Sequence, residues 1–296
     1  EAAAQAIGEL DFLICKAELA RSMDATRPEI VACSNQQEPG QLCVSSLSPV
    51  STPGPRLMLE NACHTITLDE VKLRGGRYQP ISIEVDSIVL VITGPNMGGK
   101  TVALATVGLC VAMAQWGLMV PCTLMRFGLY DFIHFQPQEE EAPGLSSFAT
   151  EIVNLKGPLS RMGEKGLVLL DEVGRGTNPS QGLALYAALL LHYLENDTAG
   201  STVIATTHYH GLAAMLSVPH WQVKGLVAES LDLGDAGQAW ADGTDGIDWL
   251  YRHMDYTLQK VGPDTPTPQD ALLVAKALGL SKDIIRKAQE FHGPGE

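Results

Sequence analysis

The sequence predicts an α/β fold in which a mainly parallel sheet is flanked by helices, with two short helices at the carboxyl end. Between residues 56 and 207, apolar segments of strand length alternate with longer segments of helical character. Residues 87–92 form a continuous apolar run typical of a strand that is buried on both faces. A glycine-rich loop follows at once, and residues 102–115 after it are small or apolar and contain no proline. This order of strand, loop and helix is typical of a parallel sheet.

Composition indicates a globular chain that divides into four parts. Of its 296 residues 45% are hydrophobic and 18% are charged, which is not the composition of a disordered protein. Residues 1–33 read as the end of a helical region, and residues 34–55 are rich in Ser, Pro and Gly, as linkers are. We assign residues 56–262 to the main α/β domain. Residues 263–296 form the predicted helix pair, with Ser281 as the N-cap of the second helix.

The charge balance limits the partners that this chain can bind alone. It has 34 acidic and 20 basic residues, a net charge of -14, and so negative a surface repels a phosphate backbone. No apolar run reaches the ~18 residues of a membrane span without polar breaks. We therefore expect no membrane association and a cytoplasmic location. Since the chain begins with Glu1 rather than Met, we also expect it to be a fragment.

The glycine-rich loop has the sequence of a phosphate-binding loop. Residues 94–101 read GPNMGGKT, which satisfies G-x-x-x-x-G-K-[ST]. In this motif, backbone N–H groups surround a phosphate, the lysine reaches the β- and γ-phosphates and the threonine hydroxyl binds Mg²⁺. The alternative is a tight strand-to-helix turn that binds no phosphate, which the flanking strand and helix disfavour. The predicted nucleotide-binding residues of the loop are Gly94, Pro95, Asn96, Met97, Gly98, Gly99, Lys100 and Thr101.

Residues 166–182 supply a second half for this site. They read GLVLLDEVGRGTNPSQG, an apolar strand with two acids at its carboxyl end, where open α/β sheets place their ligands. We expect Asp171 to hold magnesium and Glu172 to polarise the attacking water. Adjacent acids after a strand can instead cap the next helix. The presence of a phosphate loop in the same chain favours the catalytic interpretation.

Two further segments carry candidate site residues. Residues 201–212, STVIATTHYHGL, form another apolar strand that ends near His208, whose imidazole can reach the γ-phosphate or the attacking water. A single histidine at a strand end is often structural, but its place in this series favours a functional role. Residues 142–152, APGLSSFATEI, place Ser146 just before a helical segment, and helix N-termini bind anions.

Taken together, these segments resemble the ATPase domain, domain V, of the MutS family, a relative of the ABC ATPases. The matching stretches are TGPNMGGKT, GLSSF, LVLLDEVGRGTNP and ATTHYHGL, in the family's order. The resemblance is strong over residues 56–220 and weaker at both ends. PNMGGKTVALATVGL and ATRPEI are most similar to divergent bacterial branches of the family. The resemblance to the MutS family implies a P-loop nucleoside triphosphatase of the ABC type that hydrolyses ATP with Mg²⁺.

The resemblance also implies a dimer, of identical or paralogous subunits, with composite sites. Ser146 would reach the γ-phosphate bound by the neighbouring subunit, and residues 174–177 would run along the interface. Residues 263–296 are the dimerisation candidate because two short helices expose too much apolar surface to stand alone, and packing on their own ATPase domain is the alternative. Mismatched or branched DNA would bind through domains that precede this region in the family, as in DNA mismatch repair. The alternative is a chaperone-like ATPase that remodels a protein client, such as a cobalamin-dependent aminomutase. The residue that contacts adenine stays open, since no aromatic side chain lies within residues 59–68.

Overall fold

The computed structural model describes residues 2–31, 56–95, 98–137, 147–209, 211–226, 253–262, 265 and 271–292. Several predictions fall outside these residues. They concern the linker 34–55, the loop residues Asn96 and Met97, and Ser146.

Helices and strands alternate through most of the described chain. The helices are α1 (Ala2–Ser22), α2 (Thr65–Leu73), α3 (Lys100–Gln115), α4 (Ser147–Leu159), α5 (Pro179–Asn196), α6 (Leu212–Leu216), α7 (Ala271–Ala277) and α8 (Lys282–His292). The strands are β1 (Glu29–Ile30), β2 (Leu57–Ala62), β3 (Ile81–Val85), β4 (Val89–Thr93), β5 (Leu124–Phe127), β6 (Phe132–Gln136), β7 (Gly166–Asp171), β8 (Thr202–Thr207), β9 (His220–Leu226) and β10 (Met254–Lys260). No helix in the described part of the chain is long and apolar enough to cross a membrane.

A six-stranded sheet forms the centre of the domain, in the order β10-β9-β4-β8-β7-β6. All its pairings are parallel except that of β10 with β9. The register places Thr93 opposite Thr207 and Asp171 opposite Thr206. The carboxyl ends of β4, β7 and β8 therefore meet at one edge, where a parallel sheet binds its ligands. The predicted α/β class with a mainly parallel sheet is confirmed.

A smaller sheet has the order β1-β5-β2-β3, in which β2 runs antiparallel to both of its neighbours. Side chains of this sheet and of the central sheet share one hydrophobic core with α3. The core includes Leu59 from β2, Leu104 and Val107 from α3, and Ile92 from β4. This packing fixes the helix that follows the glycine loop from both sides.

The opposite face of the central sheet packs on α5 and α6 in a second core. In β4, Leu90 faces the first core and Val91 faces the second, and both are fully buried. This burial on two faces explains the continuous apolar sequence before the loop. The predicted strand 87–92 is observed at Val89–Thr93, and the predicted helix begins two residues earlier than expected, at Lys100.

The two ends of the chain carry helices with much exposed apolar surface. Helix α1 is a single helix in which only Ala20 is buried among the described residues. Helices α7 and α8 follow the prediction closely, and Ser281 Oγ accepts a hydrogen bond from the Ile284 N–H at 3.4 Å. In α8, Ile285 is buried, whereas Phe291 is 92% exposed.

Candidate active site

The phosphate loop connects the end of β4 to the first residue of α3. Gly99 caps α3 in the left-handed conformation, with φ of 81°, which an L-residue adopts only at a cost. The Gly98 N–H donates to the Pro95 carbonyl at 3.0 Å, which closes the turn. The N–H groups of the first turn of α3 therefore lie beside the loop, where a helix N-terminus favours an anion.

Lys100 is almost completely buried at the base of this loop. Its Nζ donates to the carbonyls of Gly94 at 2.9 Å and Pro95 at 3.0 Å. It also forms an ion pair with Glu172 Oε1 at 2.8 Å, in which both side chains are buried. The lysine charge is thus satisfied by these three contacts.

Thr101 and Asp171 lie in direct contact, although 70 residues separate them in the chain. Thr101 Oγ1 donates to Asp171 Oδ2 at 2.6 Å. Thr206 Oγ1 donates to the other oxygen, Oδ1, at 2.5 Å, and therefore fixes the carboxylate. A hydroxyl and a carboxylate at this point are the oxygen ligands that Mg²⁺ prefers, so the residues fit a magnesium ion.

Glu172 follows the last residue of β7 in a strained conformation. Its φ is 51°, in the left-handed region, which costs an L-residue about 1–2 kcal/mol. Its N–H donates to the Thr206 carbonyl at 3.1 Å. The carboxylate also faces two partly exposed side chains besides Lys100. Its Oε2 lies 3.7 Å from the Arg175 guanidinium and 3.6 Å from His208 Nδ1. Strain of this kind persists where surrounding contacts hold it, and it is common at functional sites.

The surroundings of His208 lower the pKa of its imidazole. Burial lowers its pKa, the Glu172 carboxylate raises it, and the positive charges of Lys100 and Arg175 lower it again, with a net decrease. The imidazole is therefore mostly uncharged at pH 7, so that one ring nitrogen can donate and the other accept a hydrogen bond.

A cavity of about 1130 Å³ opens beside the phosphate loop. Lys100, Thr101 and Glu172 line it, together with residues of α2. A cavity of this volume is large enough for a nucleoside triphosphate.

Basic and aromatic side chains line this cavity at positions that the sequence did not indicate. They are Arg74, Arg77, Tyr78 and Tyr256. The Tyr256 ring packs on the loop so closely that a Cβ on Gly99 would lie 2.9 Å from its Cδ1. The Tyr78 hydroxyl accepts a hydrogen bond from the His64 N–H at 2.8 Å, which fixes its ring. These aromatic rings, rather than residues 59–68, are therefore the candidates for contact with a nucleotide base.

The structure thus gathers most of the predicted site residues within hydrogen-bond or ion-pair distance of one another. Lys100 meets Glu172, Thr101 meets Asp171, and His208 faces Glu172. Gly94, Pro95, Gly98 and Gly99 form the described part of the loop around Lys100. Their roles in binding and catalysis stay predictions, as do those of Asn96, Met97 and Ser146.

The parallel sheet, the glycine loop and the paired acids define a P-loop domain of the ATPase type. The sequence family described as MutS domain V matches residues 90–293, and the chain belongs to this family. The resemblance inferred from the motifs is confirmed.

Three relatives are proteins named Endonuclease MutS2. The one from Thermomicrobium roseum is 33% identical over 296 residues, which cover 97% of this chain and 32% of the relative. The one from Pelotomaculum thermopropionicum is 30% identical, with 98% of this chain and 31% of the relative covered. The one from Staphylococcus aureus is 30% identical, with 99% and 32% covered. The chain therefore spans about a third of the length of these relatives.

Proposed function

We propose that this chain binds Mg²⁺-ATP and hydrolyses it to ADP and phosphate. The contact of the two loop residues with the two acids carries this proposal. Lys100 and Thr101, at the start of α3, meet Glu172 and Asp171, at the end of β7, at 2.8 and 2.6 Å. A phosphate-binding cation, a hydroxyl with a carboxylate for magnesium and a carboxylate for water are the parts that ATP hydrolysis requires.

Each of these residues has a distinct task in the proposed reaction. Lys100 exchanges the Glu172 carboxylate for the β- and γ-phosphates, which frees Glu172 to accept a proton from the attacking water. His208 lies 3.6 Å from Glu172 and is mostly uncharged, so it can donate a hydrogen bond to the γ-phosphate or orient the water. Thr101 and Asp171 would hold the magnesium ion. When bound, that ion would neutralise charge on the phosphate oxygens.

The longer protein is proposed to couple this hydrolysis to mismatched or branched DNA. Membership of the MutS domain V family and relatives named Endonuclease MutS2 support this choice. The net charge of -14 argues that the nucleic acid contacts other parts of the protein. A cytoplasmic location fits this role and stays a prediction.

The partner is tested with the full-length gene product, since this chain spans about a third of its relatives. ATP hydrolysis is measured with perfectly paired duplex, mismatched duplex and a four-way junction at fixed ionic strength. We expect mismatched or branched DNA to change the rate more than paired duplex does. Equal rates with all three would contradict the DNA role and would favour a protein client.

We propose further that the protein acts as a dimer in which Ser146 contacts the nucleotide of the neighbouring subunit. Ser146→Ala should leave ATP binding intact and slow hydrolysis by roughly 10²–10³-fold, the usual effect of losing one donor to the transition state. The sharper test mixes Ser146→Ala subunits with Glu172→Gln subunits. In a mixed dimer with composite sites, both lesions fall on the same site and the other site is wild type.

About one active site per mixed dimer is therefore expected, measured as ATP turnover in heterodimers purified with two affinity tags. Homodimers of each variant serve as controls and should be almost inactive. Near-zero turnover in verified mixed dimers would mean that Ser146 acts on the nucleotide of its own subunit.

Helices α7 and α8 are the proposed dimerisation element. Ile284 and Phe291 are 51% and 92% exposed, and apolar surface of this kind usually marks a contact. Deletion of residues 266–296 should convert the dimer to a monomer, measured as molar mass by light scattering. Phe291→Ala is the milder variant and should weaken dimerisation. A dimer of unchanged stability after the deletion would place the interface elsewhere.

A further inference from the structure

Residues from three other parts of the chain contact Gly174, in the turn that follows Glu172. The Gly174 N–H donates to Glu151 Oε1 of α4 at 2.8 Å. The Tyr209 hydroxyl donates to the Gly174 carbonyl at 3.0 Å. Gly182 of α5 packs against it so tightly that a Cβ on Gly174 would lie 2.8 Å from the Gly182 Cα. With φ of 85°, Gly174 also requires a conformation that favours glycine.

Glu151 is the contact through which α4 reaches this turn. Its side chain is half-buried, and burial raises its pKa while the hydrogen bond from the Gly174 N–H lowers it. The backbone carbonyl of Glu151 accepts a bond from Gln136 Nε2 at 3.2 Å, so the end of β6 holds this turn of the helix in place. The carboxylate therefore extends from a fixed point on α4 to a fixed point two residues after Glu172.

Because Glu172 is in a strained backbone conformation, the contact between Glu151 and Gly174 affects where the Glu172 side chain lies. A left-handed L-residue relaxes unless its neighbours hold it on both sides. On the amino-terminal side, the Thr206 carbonyl binds the Glu172 N–H at 3.1 Å. On the carboxyl-terminal side, Glu151 and Tyr209 hold the peptide of Gly174. Lys100 and Thr101 have their own contacts in the loop and with Asp171, which do not involve Glu151.

We infer that Glu151 is a positioning residue that sets the direction of the Glu172 carboxylate and ties it to helix α4. This inference rests on the proposed ATPase function. Loss of the bond leaves the phosphate loop and the Thr101–Asp171 contact in place, so nucleotide binding persists while the attacking water loses its base. We expect this positioning to depend on the length of the side chain and not on its charge. The Gly174 N–H donates to an oxygen that only a side chain of this length can hold at that distance from α4.

Three variants at position 151 separate reach from charge. Glu151→Gln keeps an oxygen at the same reach without the charge. Glu151→Asp keeps the charge but is one methylene shorter, and Glu151→Ala removes both. Lys156→Ala, an exposed residue on the same helix, is the control. Tyr209→Phe removes the other hydrogen bond to Gly174 and serves as a second probe of the turn.

We expect kcat for ATP to fall by roughly 10–100-fold in Glu151→Asp and Glu151→Ala, the usual effect of a misplaced catalytic group. Glu151→Gln should stay within about threefold of the wild type, and Tyr209→Phe should lower kcat. The Kd for Mg²⁺-ATP should stay unchanged in all of them, and Lys156→Ala should match the wild type. Thermal unfolding of each variant checks that it is folded.

Two results would overturn the inference. One is a wild-type kcat in Glu151→Asp, and the other is an equal loss in Glu151→Gln and Glu151→Asp. Failure of the proposed function itself looks different, because the wild-type chain would then bind nucleotide without hydrolysing it.

Discussion

Replacing Lys100 with alanine is expected to abolish measurable ATP binding. The buried Nζ contacts the carbonyls of Gly94 and Pro95 and the Glu172 carboxylate, and it is the cation placed at the base of the phosphate loop. Its removal takes away a charge-assisted contact with the phosphates. It also leaves the buried Glu172 carboxylate without its nearest counter-charge, so the remaining negative charge repels the nucleotide. A loss on the order of 10³-fold in affinity follows, because truncating one partner of a buried charge contact with a ligand costs about 2–5 kcal/mol of binding free energy.

The measurement is the Kd for Mg²⁺-ATP by titration calorimetry, with Lys156→Ala as the control. Since Lys100→Ala leaves a buried charge, the double variant Lys100→Ala/Glu172→Gln provides a folded reference. It should be more stable than Lys100→Ala alone and should still fail to bind ATP. Affinity at wild-type strength in either variant would remove Lys100 from the binding site.

Replacing Glu172 with glutamine is expected to separate binding from hydrolysis. The amide cannot accept a proton from water, so kcat should fall by a factor on the order of 10² or more. Binding should be equal or tighter than in the wild type. The reason is that Glu172 pairs with Lys100 at 2.8 Å, and a neutral amide competes less with the phosphates for that lysine.

Both quantities are measured on the same preparation, kcat by steady-state phosphate release and Kd by titration with Mg²⁺-ATP. Glu195→Gln, an exposed residue on α5, is the matched control for the loss of one negative charge. A proportional loss of binding and turnover in Glu172→Gln would mean that the residue has a structural role.

The sequence predicted the fold where a local pattern determines it. Residues 89–92 and 167–170 are apolar throughout because both faces of β4 and β7 are buried, and this pattern is visible without a structure. The motif around Lys100 and the acids after β7 were predicted to share a site because parallel strands present their carboxyl ends at one edge. The strand register, with Asp171 opposite Thr206 and Thr93 opposite Thr207, places the ends of β7 and β4 at that edge.

Other features of the site depend on contacts that no local pattern contains. Tyr256 is far from the phosphate loop in sequence, and the pairing of β10 with β9 is what brings it there. Arg77 and Tyr78 follow the glycines after α2, and their basic and aromatic character in an acidic chain is the signal that was available. Nothing in the sequence indicated that Lys100 would pair with Glu172, because Lys100 was expected to bind the phosphates and Glu172 the attacking water.

Cleavage of bound ATP in a single turnover is the decisive test of whether Glu172 activates water for ATP hydrolysis in this chain. The protein is mixed in excess with Mg²⁺-ATP labelled at the γ-phosphate, and the free phosphate is followed over time in the wild type and in Glu172→Gln. Because every ATP molecule is bound, neither affinity nor product release affects the rate. We expect the wild type to cleave its ATP, whereas Glu172→Gln retains intact ATP and cleaves it at least ~10²-fold more slowly. Equal rates in the two proteins, or no cleavage by the wild type, would contradict this expectation.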